Sequence, residues 1–180
     1  GWDQVDDLNR QKTIEAGMSW VPSKAFTLTA QGYFGKEPAY TGGKDGSRTI
    51  IDLVGTWTVS DSTSIVFSYD YGSQAGSLLP TGKTGSANWQ GLAGYVNYAI
   101  DDKWRVSVRA EYFDDADGVR TGTPQTLTEE TLTLGYAATK SFEIRAELRA
   151  DQSDKSTFVK PGSALGSGQN SYSLEGVYKF

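Results

Sequence analysis

Apolar and polar side chains alternate along most of this chain with a period of two, which is the pattern of half-buried β-strands. In "TIEAGMSWV" the residues Ile14, Ala16, Met18 and Trp20 share a face, and in "FTLTAQGYF" Phe26, Leu28, Ala30, Gly32 and Phe34 do. The stripe returns in "TIIDLVGTWTV", "SIVFSYDYG", "GLAGYVNYAI", "WRVSVRAEYF", "ETLTLGYAA", "FEIRAELRA" and the closing "NSYSLEGVYKF". This predicts about nine strands and no helix of any length. The opposite face is consistently polar. It carries Glu15, Thr27, Gln31, Asp52, Asp70, Asn97, Arg105, Arg109, Glu111, Thr131, Glu143, Arg145, Glu147, Arg149, Glu175 and Lys179, among others.

The connections alternate in length. "PSKA", "SDSTS", "DDK" and "TKS" are short, whereas "GKEPAYTGGKDGS", "SQAGSLLPTGKTGSAN", "DDADGVRTGTPQT" and "DQSDKSTFVKPGSALGSGQ" are long and rich in Gly, Ser, Asp and Lys. The long ones read as solvated loops. Greek-key crossovers would disturb such an order. An up-and-down barrel with tight turns on one side of a membrane and long loops on the other requires it.

A stripe of this kind suits either a soluble barrel with its apolar face inward or a membrane barrel with that face outward. The aromatic positions decide between them. Trp20, Trp57, Trp104, Phe142, Tyr178 and Phe180, with Phe26, Tyr98 and Tyr136, fall near the short-turn ends of their strands. Phe34, Tyr69, Tyr71, Tyr112 and Tyr172 fall near the long-loop ends. Between them lie aliphatic or small residues such as Leu53, Val96, Val108, Leu134 and Leu148. Two aromatic belts flanking an aliphatic band match the two interfaces of a bilayer. A soluble core would instead spread its large residues through the middle. The expectation is therefore an all-β fold, a transmembrane antiparallel up-and-down β-barrel, with residues 1–180 as one barrel domain. If the last strand ends at the periplasmic rim, the long loops are external and the first strand starts outside. Single-chain bacterial barrels have even strand numbers. Nine strands starting outside thus predict the C-terminal part of a larger barrel, incomplete at its N-terminal side.

Composition narrows the chemistry. The chain has 180 residues, a net charge of −5, no histidine and no cysteine. The acidic balance argues against nucleic acid as a partner. Without His there is no Ser-His-Asp catalysis, and without Cys there is no disulfide framework or thiolate metal site. No catalytic residue, cofactor or metal is expected, and the chain does not read as an enzyme.

The stretch "RAEYFDDADGVRTG", Arg109 to Gly122, resembles the OmpL-like β-barrel porin family, the β-barrel porin-2 group. "LVGTWTVSDSTSIVFSYDYG", "YVNYAIDDKWRVSVRAEYF" and the closing "GVYKF" are similar to its strand–turn–strand units, and the likeness runs from the opening "GWDQVDDLN" onward. The resemblance implies an outer-membrane pore of Gram-negative bacteria with no catalytic residues. It implies outer-membrane lipid and small polar solutes or ions as partners. The terminal Phe180 looks like the signal by which the barrel assembly machinery recognises outer-membrane barrels. A homo-oligomer stays open.

The candidate pore-lining residues are Arg105, Arg109, Glu111, Glu143, Arg145, Glu147 and Arg149, because rings of charge set selectivity in a pore. The same residues also suit a wall-stiffening network, with Glu129 as a further partner. In "DDADG", Asp114 to Gly118, the carboxylates have a spacing that could hold Ca²⁺, but the later bidentate Glu of a full loop motif is missing and a plain Asp/Gly turn is the default reading; "GWDQVDD" and "DQSDKS" rank lower still. Three functions remain open on this reading: a passive diffusion porin, a non-conducting structural barrel, and a soluble ligand-binding barrel.

Overall fold

The computed structural model describes residues 9–40 and 42–180; the opening "GWDQVDD" segment lies outside the described residues. Alternation in sequence becomes alternation in space. The strands are β1 (Ile14–Ser23), β2 (Phe26–Glu37), β3 (Gly46–Thr58), β4 (Thr63–Leu78), β5 (Thr84–Ala99), β6 (Trp104–Asp115), β7 (Gln125–Ala137) and β8 (Phe142–Ser153). A small hairpin, β9 (Phe158–Val159) and β10 (Leu165–Gly166), precedes β11 (Gly168–Tyr178). Among the described residues no helix is long and apolar enough to cross a membrane.

The main strands form one sheet of nine in the order β1-β2-β3-β4-β5-β6-β7-β8-β11, every neighbour antiparallel. This is the up-and-down meander that the connections predict. Among the described residues no pairing joins β1 to β11. With nine strands in strict alternation, these two edges run in the same direction.

Burial is inverted relative to a water-soluble domain. On β7, Thr131 is 4% exposed and its apolar neighbour Leu132 is 44% exposed. The alternation continues through β8, where Glu143 and Asp151 are buried and Ile144 and Leu148 are exposed. In a curved sheet the side chains of the concave face converge and shield one another, while those of the convex face splay apart. The polar face is therefore concave and the apolar face convex, as a barrel with a wet interior and a lipid-facing exterior requires.

The long connections are the point of difference. "SQAGSLLPTGKTGSAN" is not one solvated loop. β4 and β5 run 16 residues each and meet through residues 79–83, with a bulge between Gln74 and Ser77. β2, β3, β6 and β7 also continue past their apolar stripes, so those loops shrink to 38–45 and 116–124. Hydrophobic alternation reports only the stretch where lipid opposes water. Backbone pairing needs no apolar side chain, so the ladder carries on beyond it.

Candidate functional site

On the concave face the register stacks residues into rows across neighbouring strands. One row runs Ala93, Glu111, Glu129, Asp151, Gln169. The next, toward the short turns, runs Tyr95, Arg109, Thr131, Arg149, Ser171. Then come Asn97, Ser107, Thr133, Glu147, Ser173, and after them Ala99, Arg105, Gly135, Arg145, Glu175. Rows two residues apart lie about 6.6 Å apart. That step lets an arginine in one row reach a carboxylate in the adjacent row.

The contacts follow this geometry except that of Arg145 with Glu175, which lies within one row. Arg109 Nε donates to Glu129 Oε2 at 2.8 Å and lies 3.2 Å from Glu111 Oε1. Arg149 Nη2 meets Asp151 Oδ1 at 2.7 Å. Arg145 Nε meets Glu143 Oε1 at 2.7 Å and its Nη1 meets Glu175 Oε2 at 3.3 Å, while Arg105 also pairs with Glu143. Glu147 accepts the Thr133 hydroxyl at 3.0 Å. All seven candidate lining residues thus share one concave wall over β6 to β8. Such half-wet pairs contribute little to stability, about 0–1 kcal/mol each. Across β2 to β5 the corresponding wall carries Gln31, Asp52, Asp70 and Gly91 in one row.

The candidate belt aromatics lie on the other face. Trp20, Trp57, Trp104, Phe142, Tyr178 and Phe180 are all exposed and sit at the short-turn end. Trp104 packs on Tyr136 with ring centroids 4.7 Å apart, and Trp20 meets Phe26 edge-on. At the long-loop end Tyr69 donates to Gln90 at 3.2 Å and Tyr71 to Asn88 at 3.0 Å. These hydroxyls find polar partners on the convex face, as amphipathic rings at an interface do.

A second cluster occupies the concave face at the long-loop end, and sequence reading missed it. Trp89 lies on the inward side of β5 and is 5% exposed, packed with Ala87 and Val119 and flanked by Tyr40, Leu79 and Phe113. Its indole lies flat against Gly72 of β4, where any Cβ would collide with the ring. Tyr40 meets Trp89 edge-on at 5.8 Å. The Arg48 guanidinium, fully buried, lies 3.8 Å from the Tyr40 ring centre and donates to Gln74 and to the Pro38 carbonyl. Gln74 in turn donates to the Ala75 carbonyl at 2.7 Å, and Glu37 accepts the Thr13 hydroxyl. Tyr40 and Val119, from loops 38–45 and 116–124, therefore fold inward onto the wall. The one available signal was parity, since Trp89 is a large apolar ring on the phase of β5 that otherwise carries small or polar residues and Tyr95.

The "EYFDDADGVRTG" stretch builds the second of these loops. Asp115, fully buried, accepts the backbone N–H groups of Val119 (3.0 Å), Arg120 (3.0 Å) and Thr121 (2.8 Å) and the Thr121 hydroxyl (2.9 Å). Gly118 and Gly122 take φ of 64° and 81°, which L side chains resist. Asp117 accepts the Asn88 N–H at 2.9 Å, and Asp114 accepts from Gln90 at 3.4 Å. The three carboxylates thus accept from separate donors, and the Asp/Gly-turn reading of "DDADG" accounts for them. Among the described residues no group of three or more Asp, Glu, His or Cys is placed to hold a metal ion.

Residues 1–180 match the model of the family described as "Putative beta-barrel porin-2, OmpL-like". No curated protein matches the chain in sequence. In structure it is similar to the NanC porin in a rhombohedral crystal form, with TM-score 0.68 and 16% identity over 94% of this chain and 79% of that chain. A weaker likeness, TM-score 0.40 at 16% identity, is to the copper transporter OprC over 92% of this chain and 33% of that one.

Proposed function

The chain belongs to the OmpL-like β-barrel porin-2 family, and from that premise we propose that it forms an outer-membrane channel for passive diffusion of small polar solutes or ions. The observation that carries this reading is the inverted burial: charged rows on a concave wall and an exposed aliphatic band between aromatic belts. A water-soluble ligand-binding barrel would need the opposite placement.

In this reading the sheet is a wall of a closed barrel. Edges that run the same way require an odd number of further strands if every pair is to be antiparallel, supplied by this polypeptide or another. Passage involves no covalent step. A solute exchanges bulk water for the Thr, Ser, Arg and Glu groups of the wall, and width and charge select it. The wall arginines bond to carboxylates in adjacent rows or, for Arg145 and Glu175, within one row, so a passing ion meets both signs. Outer-membrane lipid covers the convex face, and Phe180 serves as the recognition residue for the assembly machinery.

The test is planar-bilayer recording on the full-length protein folded in detergent. Steady currents with a fixed unit conductance are expected. A correctly folded barrel that carries none would overturn the channel reading in favour of a non-conducting scaffold. A protein monodisperse without detergent would overturn the membrane assignment itself.

A further inference from the structure

We infer that the concave wall carries a binding subsite for a neutral sugar ring, in a recess between β6, β7, β8 and β11 that Phe158 covers. The inference rests on the channel reading above and names the class of solute the wall would hold.

The recess has a volume of about 270 Å³, near the lower end of the range for ligand sites, about 300–1,000 Å³. The register makes its floor. Phe113 and Leu127 pair across β6 and β7, and the next row toward the short turns brings Glu111, Glu129, Asp151 and Gln169 side by side. The cover comes from the connection between β8 and β11. The Thr157 and Ser153 hydroxyls both donate to Gln125 Oε1, at 3.0 Å and 2.7 Å, and Lys160 donates to the Gly168 carbonyl. The ties at Thr157 and Lys160 fall on either side of Phe158. They hold it half-buried over the wall, while Val159 next to it is exposed. Phe113 is fixed in turn by packing against the Trp89 cluster.

The polar capacity left over identifies the ligand. Glu129 is buried and both of its oxygens are used, Oε2 by Arg109 at 2.8 Å and Oε1 by the Thr131 hydroxyl. Asp151 is also buried and accepts from Arg149 and Gln169. Among the described residues Glu111 pairs only with Arg109, through Oε1 at 3.2 Å, so its Oε2 remains an acceptor. Arg149 uses Nε and Nη2 on Asp151, and its Nη1 remains a donor. Gln169 donates to Asp151 through Nε2, and its Oε1 remains an acceptor. Donors and acceptors interleaved beside aromatic rings match a hydroxylated ring, whose hydroxyls both donate and accept and whose C–H face is apolar. Charge disfavours an acid there. With Arg109 counted, two arginines meet three carboxylates, and each arginine is already bonded.

The test is block of the ionic current through the full-length protein in planar bilayers, with maltose and glucuronate as probes and currents corrected for bulk conductivity. Maltose should reduce the wild-type current saturably. Phe158→Ala should raise the half-blocking concentration about threefold to tenfold, and Phe158→Tyr should keep it within about twofold. Gln169→Leu should raise it about threefold. Phe158 lies in the small hairpin outside the nine-stranded sheet, so its loss leaves the wall paired, and heat-modifiable migration in detergent gels reports the folded barrel. A conducting wild type that maltose does not block saturably, or that glucuronate blocks more tightly than maltose, overturns the subsite and leaves the channel reading standing. Block that is unchanged in both Phe158→Ala and Gln169→Leu does the same. A folded wild type without current overturns the channel reading instead. Calorimetry of that protein with maltose in detergent then decides the subsite alone: saturable heat that Phe158→Ala loses supports it, and no heat overturns it.

Discussion

A lysine placed at Leu132 and one placed at Thr133 should have opposite fates, although the two positions are adjacent on β7. Leu132 lies between Val108 and Leu148 on the convex face, at the centre of the apolar band. Tyr136 is four residues toward the short turns, and Tyr112, paired with Thr128, is four residues toward the long loops. At about 3.3 Å per residue each belt is about 13 Å away along the strand. Tilted strands reduce the belt-to-belt span to about 20 Å across the membrane, inside the apolar band of an outer-membrane barrel. An ammonium at Leu132 is therefore near the midplane, where Lys or Arg costs about 2–4 kcal/mol. At Thr133 the ammonium enters the wet concave face beside Glu147, whose carboxylate is 3.0 Å from the Thr133 hydroxyl. There the change should stay within about 1 kcal/mol. A gap of about 2.7 kcal/mol is about a hundredfold in the unfolding constant. Reversible guanidinium unfolding in phosphatidylcholine vesicles, followed by the fluorescence of the five tryptophans, reads both variants. Leu132→Lys within about 1 kcal/mol of wild type, or Thr133→Lys costing as much as Leu132→Lys, would refute the assignment of the faces.

Two further outcomes follow from the ends of the strands. Asp115→Ala should leave the donors of loop 116–124 without their common acceptor, lowering the local opening free energy by about 2–3 kcal/mol; faster amide exchange or proteolysis confined to 116–124, with the barrel intact, is the expected signature, and unchanged protection there would count against the anchor. In the short β5–β6 turn, the backbone N–H groups of Lys103 (2.8 Å) and Trp104 (2.7 Å) hold the Asp101 carboxyl below its ordinary value of 3.8. A depressed carboxyl stabilises the fold above 3.8 and loses that contribution as pH falls through the folded value, so the turn should loosen only in that acidic window. NMR titration of Asp101 in micelles checks this, and a midpoint at or above 3.8 is the contrary result.

What the sequence alone determined is local. Leu132 and Thr133 announce opposite faces because a strand turns each successive side chain over, so period and face are one fact. The belts were equally legible, since Trp104 and Tyr112 stand a fixed rise apart on one strand. Strand order followed from short turns, which force neighbours to pair. The partners of the arginines were not legible: Arg109 could have met Glu111, Glu129 or Glu147, and only the register brings Glu129 within 2.8 Å. Least legible was the aromatic cluster at the long-loop end. Tyr40, Trp89 and Arg120 lie far apart in the chain, Trp89 in β5 and the other two in separate connections. Their meeting depends on β4 and β5 outrunning their apolar stripe, on Gly72 leaving room for an indole, and on a buried Asp115 bending a loop inward. Each of these is a contact between distant segments with no periodic trace in sequence. The wall of the barrel is thus a property of the chain read two residues at a time, while the cluster packed on its inner face at the long-loop end is a property of the folded sheet.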